Sequence, residues 1–314
     1  MNDSILITGG LGYIGGRIAQ AISQCSEYNL LLSTRQNDVA LPLWLDKGKV
    51  ISVNLLSEND LNLACQGVKY IIHLAALNEI DSSSDPEQAL MINGLGTLKL
   101  LRAAERAGVE RFIYFSTAHV YGAPLQGTIT EATVPRPMHP YAITHHVAED
   151  FVLASKKLLG VVIRLSNSLG VPTHPHVNRW TLIANDLCRQ AVTTHQLLLK
   201  SSGMQKRDFI ALSDVCFAVT HLLRLPSSEC KDGLFNLGGE CTLRIIELAE
   251  LVASRCQKIL GFNPPIVRSN VIMGENDLEL IYKIDKLKST GFNLLGDIVN
   301  EIDATLEFCS AVLC

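Results

Sequence analysis

A basic surplus is missing from this sequence of 314 residues: 27 Lys and Arg stand against 31 Asp and Glu, a formal net charge of −4. A nucleic-acid binder would carry a clustered basic excess, so no nucleic-acid partner is expected. No stretch approaches the ~18 uninterrupted apolar residues of a membrane span, so none is expected to enter a bilayer. The N-terminus lacks a basic segment followed by an apolar region and a cleavage site. The last residues, Ala311-Val312-Leu313-Cys314, place Cys last rather than fourth from the end, which is not the prenylation order. C-x-x-C spacing is also absent. Nine Cys, an odd number, are scattered from Cys25 to Cys314. That is the distribution of reduced, mostly buried thiols in a cytoplasmic protein, not of a disulfide framework or a structural zinc site.

What is present is core-forming material. Hydrophobic residues make up 47% of the chain and charged residues 18%, too apolar for a disordered chain. At roughly 150 residues per domain, the length suggests two domains or one large one. The first half alternates β-rich runs with helical patterns. Strands are expected at Ser4–Thr8, Tyr28–Ser33, Val50–Leu55, Lys69–Ala75, Arg111–Ser116 and Val161–Leu165. Helices are expected at Gly12–Gln24, at Pro86–Ala107 (apolar Leu90, Leu95, Leu98 and Leu101) and from Tyr141 to about Leu159. This alternation predicts an α/β fold with a doubly wound parallel sheet. After about residue 170 the pattern changes to a polar stretch and shorter elements, read as a smaller region over the carboxyl ends of the strands. No internal repeat is visible.

Thr8-Gly9-Gly10-Leu11-Gly12-Tyr13-Ile14-Gly15 lies between the first strand and the first helix. Gly9 allows a tight turn, Gly12 lets backbone approach a pyrophosphate, and Gly15 lets helix and strand pack closely. With Tyr13 and Ile14 they open a helix whose N–H groups and positive dipole end face the phosphates of a dinucleotide. The end of the second strand chooses the cofactor. An acid there holds a ribose 2′-hydroxyl, and an Arg nearby suits a 2′-phosphate. Here it reads Leu32-Ser33-Thr34-Arg35, with no acid until Asp38. Ser33 and Arg35 therefore favour NADP over NAD, with Arg35 as a solvated surface residue the alternative.

These residues and several others resemble one family. The fourth strand carries His73-Leu74-Ala75-Ala76, and a helix carries Asn93 with Gly96-Thr97. Phe115-Ser116-Thr117-Ala118-His119-Val120-Tyr121-Gly122 starts at the end of the fifth strand and runs beyond it. Arg164-Leu165-Ser166-Asn167, Arg207-Asp208-Phe209-Ile210 with Asp214-Val215, and Phe235-Asn236-Leu237-Gly238 come later. Together they resemble the extended short-chain dehydrogenase/reductases of the NAD-dependent epimerase/dehydratase family, whose members mostly modify nucleotide-sugars.

The resemblance implies a Rossmann domain over residues 1–170 and a mainly substrate-binding region over 171–314 with segments returning to the sheet. Thr117 matches a catalytic residue that hydrogen-bonds the reacting oxygen. Tyr141 matches the one that trades a proton with it as hydride moves to or from the nicotinamide. Asn54 and Leu55 stand beside the adenine. Leu74, Ala75, Ala76 and Asn93 join the cofactor set. Asn167 and Arg207 hold the substrate's nucleotide and diphosphate. The family also implies a homodimer through the helices over 86–107 and 141–159.

The chain departs from that family at two places. Its Y-x-x-x-K motif reads Tyr141-Ala142-Ile143-Thr144-His145. Positions i and i+4 share a helical face, so His145 stands where a Lys would bond the nicotinamide ribose and lower the Tyr pKa. Three readings follow: a His-assisted Tyr, a slow enzyme poised toward lower pH, or a catalytically lapsed nucleotide-binding module. Where 4,6-dehydratases carry Asp-Glu, this chain has Ala118-His119, which argues against dehydration. His119 is instead either a substrate-facing acid/base or a residue lining the pocket. In the run from Thr173 to Trp180, Arg179 is a candidate for a substrate phosphate and Trp180 for stacking on a base or sugar. His174 and His176 lack the further ligands of a metal site. Glu247 and Glu250 read as a solvated face. The expected activity is hydride transfer at a sugar carbinol or ketone by an NAD(P)-dependent epimerase or oxidoreductase. The alternative is an NADP-dependent ketoreductase of a keto-sugar or other small carbonyl.

Overall fold

A computed structural model describes residues 3–25, 27–36, 39–177, 179–268 and 278–313. Asp38, Asn178 and Cys314 lie outside the described residues. Seven strands form one sheet: β1 (Asp3–Thr8), β2 (Tyr28–Thr34), β3 (Gly48–Ser52), β4 (Tyr70–His73), β5 (Arg111–Thr117), β6 (Leu159–Leu165) and β7 (Leu234–Leu237). Their order is β3-β2-β1-β4-β5-β6-β7 and every pairing is parallel. The order reverses between β1 and β4, the topological switch point where a doubly wound sheet opens a crevice at its carboxyl edge.

Both faces of the sheet are buried, as period-two strands with apolar residues on each side require. Ile5, Ile7, Ile113, Phe115, Val161 and Ile163 face one core. It is shared with Ile18 and Ile22 of the helix Tyr13–Ser23 and with Val215, Val219 and Leu222 of the helix Leu212–Arg224. Leu6, Ile71, Phe112, Tyr114 and Val162 face the opposite core, against Leu100, Leu101 and Ala104 of the helix Thr97–Ala107 and Ala148 and Val152 of the helix Pro140–Ala154. A third core joins the helices Ile183–Thr194, Ile245–Ile259 and Ile298–Leu313. It backs a small sheet of Asn167–Leu169, Lys206–Ala211 and Cys241–Arg244. Arg17 ties these parts together, with a bidentate bond to Glu301 at 3.0 and 3.1 Å and a bond to the Val171 carbonyl at 2.9 Å.

Several expected elements shift. The third strand is Gly48–Ser52, so Asn54 and Leu55 lie beyond it, and the fourth stops at His73, leaving Leu74–Ala76 in a loop. The helix bearing Tyr141 ends at Ala154, because Leu159 already pairs with Arg111 in the sheet. The helix expected over 86–107 is α-helical only at Pro86–Ala89 and Thr97–Ala107, with a π-helical Leu90–Gly96 between. The wider turn re-phases the helix. Its buried face becomes Asn93, Gly94, Gly96, Thr97, Leu100 and Leu101, while Leu90 and Met91 are exposed. No helix among the described residues is long and apolar enough to cross a membrane.

Candidate active site

The glycine turn leaves β1 at the switch point. Gly9 adopts φ +67°, open to glycine without strain. A Cβ on Gly15 would sit 2.2 Å from the Gly9 carbonyl oxygen, so the first helical turn packs directly on the turn before it. A Cβ on Gly12 would meet that same oxygen at 3.1 Å. Gly12 caps the helix with extended backbone and no side chain, so the N–H groups of Tyr13 and Ile14 keep no intrahelical partner and face outward from a positive dipole end. The Tyr13 hydroxyl is committed elsewhere: it donates to the Gly170 carbonyl at 2.8 Å and lies 3.2 Å from Asn185 Oδ1. Only its backbone remains for a ligand.

A buried polar relay stands beside this turn. Thr97 Oγ1 donates to the Asn93 carbonyl at 2.6 Å, so it must accept from His73 Nε2 at 2.9 Å. His73 Nδ1 is then an acceptor for the Thr8 hydroxyl at 2.6 Å. Thr8 Oγ1 in turn accepts the N–H groups of Leu74 and Ala75, both at 3.2 Å. The relay fixes the loop that carries Leu74, Ala75 and Ala76 over the crevice. Asn93 is itself fully used: Oδ1 accepts Leu77 N at 2.7 Å and Nδ2 donates to Thr144 at 3.0 Å. It therefore joins that loop to the helix of Tyr141 rather than projecting into the crevice. Ser33 is buried and Arg35 exposed. Asn54 Oδ1 accepts Leu56 N at 2.9 Å in a local turn, while Leu55 is buried against Gly96.

Tyr141, His145 and Glu149 fall at i, i+4 and i+8, on one face of their helix. Glu149 anchors that face to β6 by a buried ion pair with Arg164 at 2.6 Å. His145 Nδ1 donates to the Tyr141 carbonyl at 2.7 Å, and the two rings lie 4.1 Å apart. Nε2 is therefore the acceptor nitrogen, with no partner among the described residues. Burial first, then nearby His119, drops the His145 pKa to about 4, against the bonded Tyr141 carbonyl and Glu79, which raise it. The Tyr141 hydroxyl, also without a partner among the described residues, is pushed above its ordinary value by burial and by Glu79. A lysine would supply charge and three donors. This histidine supplies a neutral ring and a lone pair.

Thr117 ends β5, next in the sheet to β4. Its Oγ1 accepts His119 N at 3.2 Å, which leaves its own proton free to donate. His119 is half-buried and held below its ordinary pKa by burial, then by Arg207. Arg207 lies on the strand Lys206–Ala211, and Asn167 donates to the Asp208 carbonyl at 3.0 Å on the same strand. Asp208 holds this corner by accepting Ser166 Oγ at 2.6 Å, Gly239 N at 3.0 Å and Cys241 N at 3.1 Å.

Arg179 reaches Glu79, the first residue of a short helix after β4, at 3.5 Å. Glu79 also acts on His119, Tyr141, His145 and Arg207. No sequence motif contains Glu79. The only local signal is its place, three residues after the His73–Ala76 loop. Trp180 packs against the third core, not as a free stacking surface. His174 and His176 are exposed, their rings 4.8 Å apart, and no group of three metal-ligating side chains exists among the described residues. Glu247 is not merely solvated: it accepts Arg244 N at 2.7 Å and caps its helix.

Burial of neutral imidazoles sets an acid limit on the fold. His73, wholly buried, drops to about pKa 3 through burial and then His145. The unfolded chain binds protons at both rings from pH ~6.5 downward that the folded chain refuses. Their contribution is therefore present above pH ~6.5 and lost as the pH falls to about 4 for His145 and about 3 for His73. Near pH 5 the pair should steepen the loss of unfolding free energy by about 2.5 kcal/mol per pH unit. Histidine ring signals followed by NMR should show both rings neutral down to pH 5. Titration of either near pH 6 would contradict this geometry.

Comparison with known proteins follows the same lines. The model of the "NAD dependent epimerase/dehydratase family" matches residues 5–238. An uncharacterized UDP-glucose epimerase of Bacillus subtilis is 27% identical over 271 residues, 80% of this chain and 82% of that one. The fold is shared with the UDP-glucuronic acid 4-epimerase of Bacillus cereus, solved with UDP-glucuronic acid and NAD (TM-score 0.80, 22% identity, 98% of this chain and 99% of that one). It is also shared with RMD of Pseudomonas aeruginosa, complexed with NADPH (TM-score 0.77, 23% identity, 99% of each chain). The chain belongs to the NAD-dependent epimerase/dehydratase family and is an enzyme of the extended short-chain dehydrogenase type.

Proposed function

We propose that this enzyme uses a nicotinamide dinucleotide to transfer hydride at a carbinol or ketone of a nucleotide-sugar. The observation that carries the reading is a pair of hydroxyl protons, on Thr117 and Tyr141, with no acceptor among the described residues, beside a glycine cradle at the switch point of the sheet. The cradle fits such a cofactor. The capless helix start offers N–H groups to a pyrophosphate, and a Cβ at Gly12 or Gly15 would crowd the turn that presents them. When bound, the nicotinamide supplies the hydride or takes it up. Leu74 and Ala75 pack against Gly9, so the Leu74–Ala76 loop adjoins the cradle and is assigned to the cofactor. Arg35, exposed at the end of β2, is positioned for a 2′-phosphate, which supports NADP.

Thr117 donates its proton to the reacting oxygen and orients it. Tyr141, held as a neutral phenol, acts as the acid and hands its proton to that oxygen as a ketone is reduced. His145 accepts a ribose hydroxyl through Nε2, where a lysine would donate, and it brings no charge to favour the phenolate. The reductive direction is therefore favoured, which supports the keto-sugar reductase within the broader reading. His119 faces the same cleft as a neutral imidazole able to take a proton from a carbon beside a ketone. Arg207 meets the diphosphate, with Asn167 beside it; residues 171–314 supply most of this side, and 1–170 the cofactor side. Exposed Leu90, Met91, Ile143 and Phe151, on the helical segments over 86–107 and 140–154, support a homodimer through those helices. Reduced, largely buried thiols support a cytoplasmic setting.

Denaturing freshly purified protein and identifying the released nucleotide tests the cofactor. An emptied site that takes up NADPH more tightly than NADH agrees with this account. NAD retained at about one per chain would point to an epimerase that recycles its cofactor and would overturn the role given to Arg35. Uptake of neither would bring the lapsed nucleotide-binding reading forward.

A further inference from the structure

We propose that Glu79 sets the charge of the sugar: its carboxylate, held in the cleft against Arg179, admits an uncharged hexose and rejects a sugar acid. The proposal rests on the nucleotide-sugar reading and deepens it.

Glu79 is not a loose surface residue. Asn78 Oδ1 caps its helix by accepting Ile80 N at 2.9 Å and Asp81 N at 3.0 Å. Leu77 N is pinned to Asn93 Oδ1 at 2.7 Å, and Ser83 Oγ meets His139 Nε2 at 2.6 Å, at the cap of the Tyr141 helix. The backbone of Glu79 is thus fixed on both sides to the elements that carry the reacting groups. Its carboxylate lies 3.5 Å from the Arg179 guanidinium, a partner from the loop after Asn167. It remains about one-third exposed, so one side of it faces solvent space. The groups that feel its charge, His119, Tyr141, His145 and Arg207, come from three further elements that converge on the same space. No proton transfer proposed above needs it.

Charge matching decides what such a carboxylate does. A nucleotide-sugar brings a diphosphate, and Arg207 is the cation left to meet it. Arg179 is already matched by Glu79, so its guanidinium is not left unpaired for a second anionic group. Hydroxyls of a neutral hexose can donate to Glu79 in charge-assisted hydrogen bonds. The carboxylate of a sugar acid would sit beside a like charge in a partly desolvated cleft. Rejection by a built-in repulsion is a common route to specificity.

Calorimetric titration of the cofactor-loaded protein with UDP-glucose and with UDP-glucuronic acid tests this. The wild type should bind UDP-glucose at least tenfold more tightly. The ratio of the two dissociation constants should fall at least fivefold in Glu79→Gln, an isosteric change at a part-exposed site whose folding is checked by its melting temperature. Equal or tighter binding of UDP-glucuronic acid by the wild type would overturn the assignment, whatever the variant does. An unchanged ratio in Glu79→Gln would also overturn it, by placing the discrimination elsewhere. Binding of neither compound would instead overturn the nucleotide-sugar reading in its UDP form, and this assignment with it.

Discussion

Tyr141→Phe should lower turnover by about 10²–10⁴-fold, the usual range for removing a positioned acid. The loss should fall on kcat, with the protein still taking up cofactor. In the proposed mechanism the phenol carries the proton, while the glycine cradle and the Leu74–Ala76 loop hold the dinucleotide independently. Among the described residues the Tyr141 hydroxyl has no partner, so the substitution leaves none of their buried groups unpaired. The fold should accordingly tolerate it. Steady-state rates with a keto-sugar, compared with a cofactor fluorescence titration, separate the two effects. A variant within threefold of wild-type turnover would remove Tyr141 from the chemistry.

Gly15→Ala carries the second large effect, and here the loss should fall on cofactor binding. The added Cβ would meet the Gly9 carbonyl oxygen at 2.2 Å, the Gly9 carbonyl carbon at 2.9 Å and Gly10 Cα at 3.2 Å. All three are backbone atoms, which cannot rotate aside as a flexible side chain would. The turn must open, and with it the N–H groups proposed to meet the pyrophosphate. Overpacking of this kind costs about 1–3 kcal/mol of stability. Cofactor affinity should fall at least about 100-fold, equivalent to roughly 2.8 kcal/mol. Gly261→Ala is the contrast: a Cβ there meets nothing within 4 Å, and its φ of +82° predicts only local strain. Melting curves and cofactor titration of both variants check this, and a Gly15→Ala protein with unimpaired cofactor affinity would contradict the cradle.

Features legible in the sequence are those written in short spacings. The glycine turn, the strand and helix alternation, and the shared face of Tyr141 and His145 all follow from residues within a turn or two of each other. What was not legible depends on distant partners. Glu79 meets Arg179 only because two loops return to the same edge of the sheet. The Tyr13 hydroxyl, which reads as part of a cofactor motif, bonds Gly170 and Asn185 instead. Asn93 is taken by Leu77 and Thr144. The π-helical turn at Leu90–Gly96 left a trace, the five-residue gap from Leu90 to Leu95, but a gap of that size does not by itself tell a π turn from a loose apolar pattern. The polarity of His145 also required the structure. Sequence shows a ring in place of an ammonium, but only the bond from Nδ1 to the Tyr141 carbonyl shows which nitrogen is left to act, and that it accepts.

In the proposed function these groups still perform hydride transfer on a nucleotide-sugar without the lysine. Incubating the protein with UDP-, dTDP-, GDP- and CDP-glucose and their 4-keto derivatives, with NAD, NADH, NADP or NADPH supplied, and following the sugars by NMR, tests it directly. At least one of these sugars should be converted, reduction of a keto form with NADPH foremost, and that conversion should be lost in Tyr141→Phe. A wild-type protein that binds cofactor yet leaves every sugar unchanged would contradict it.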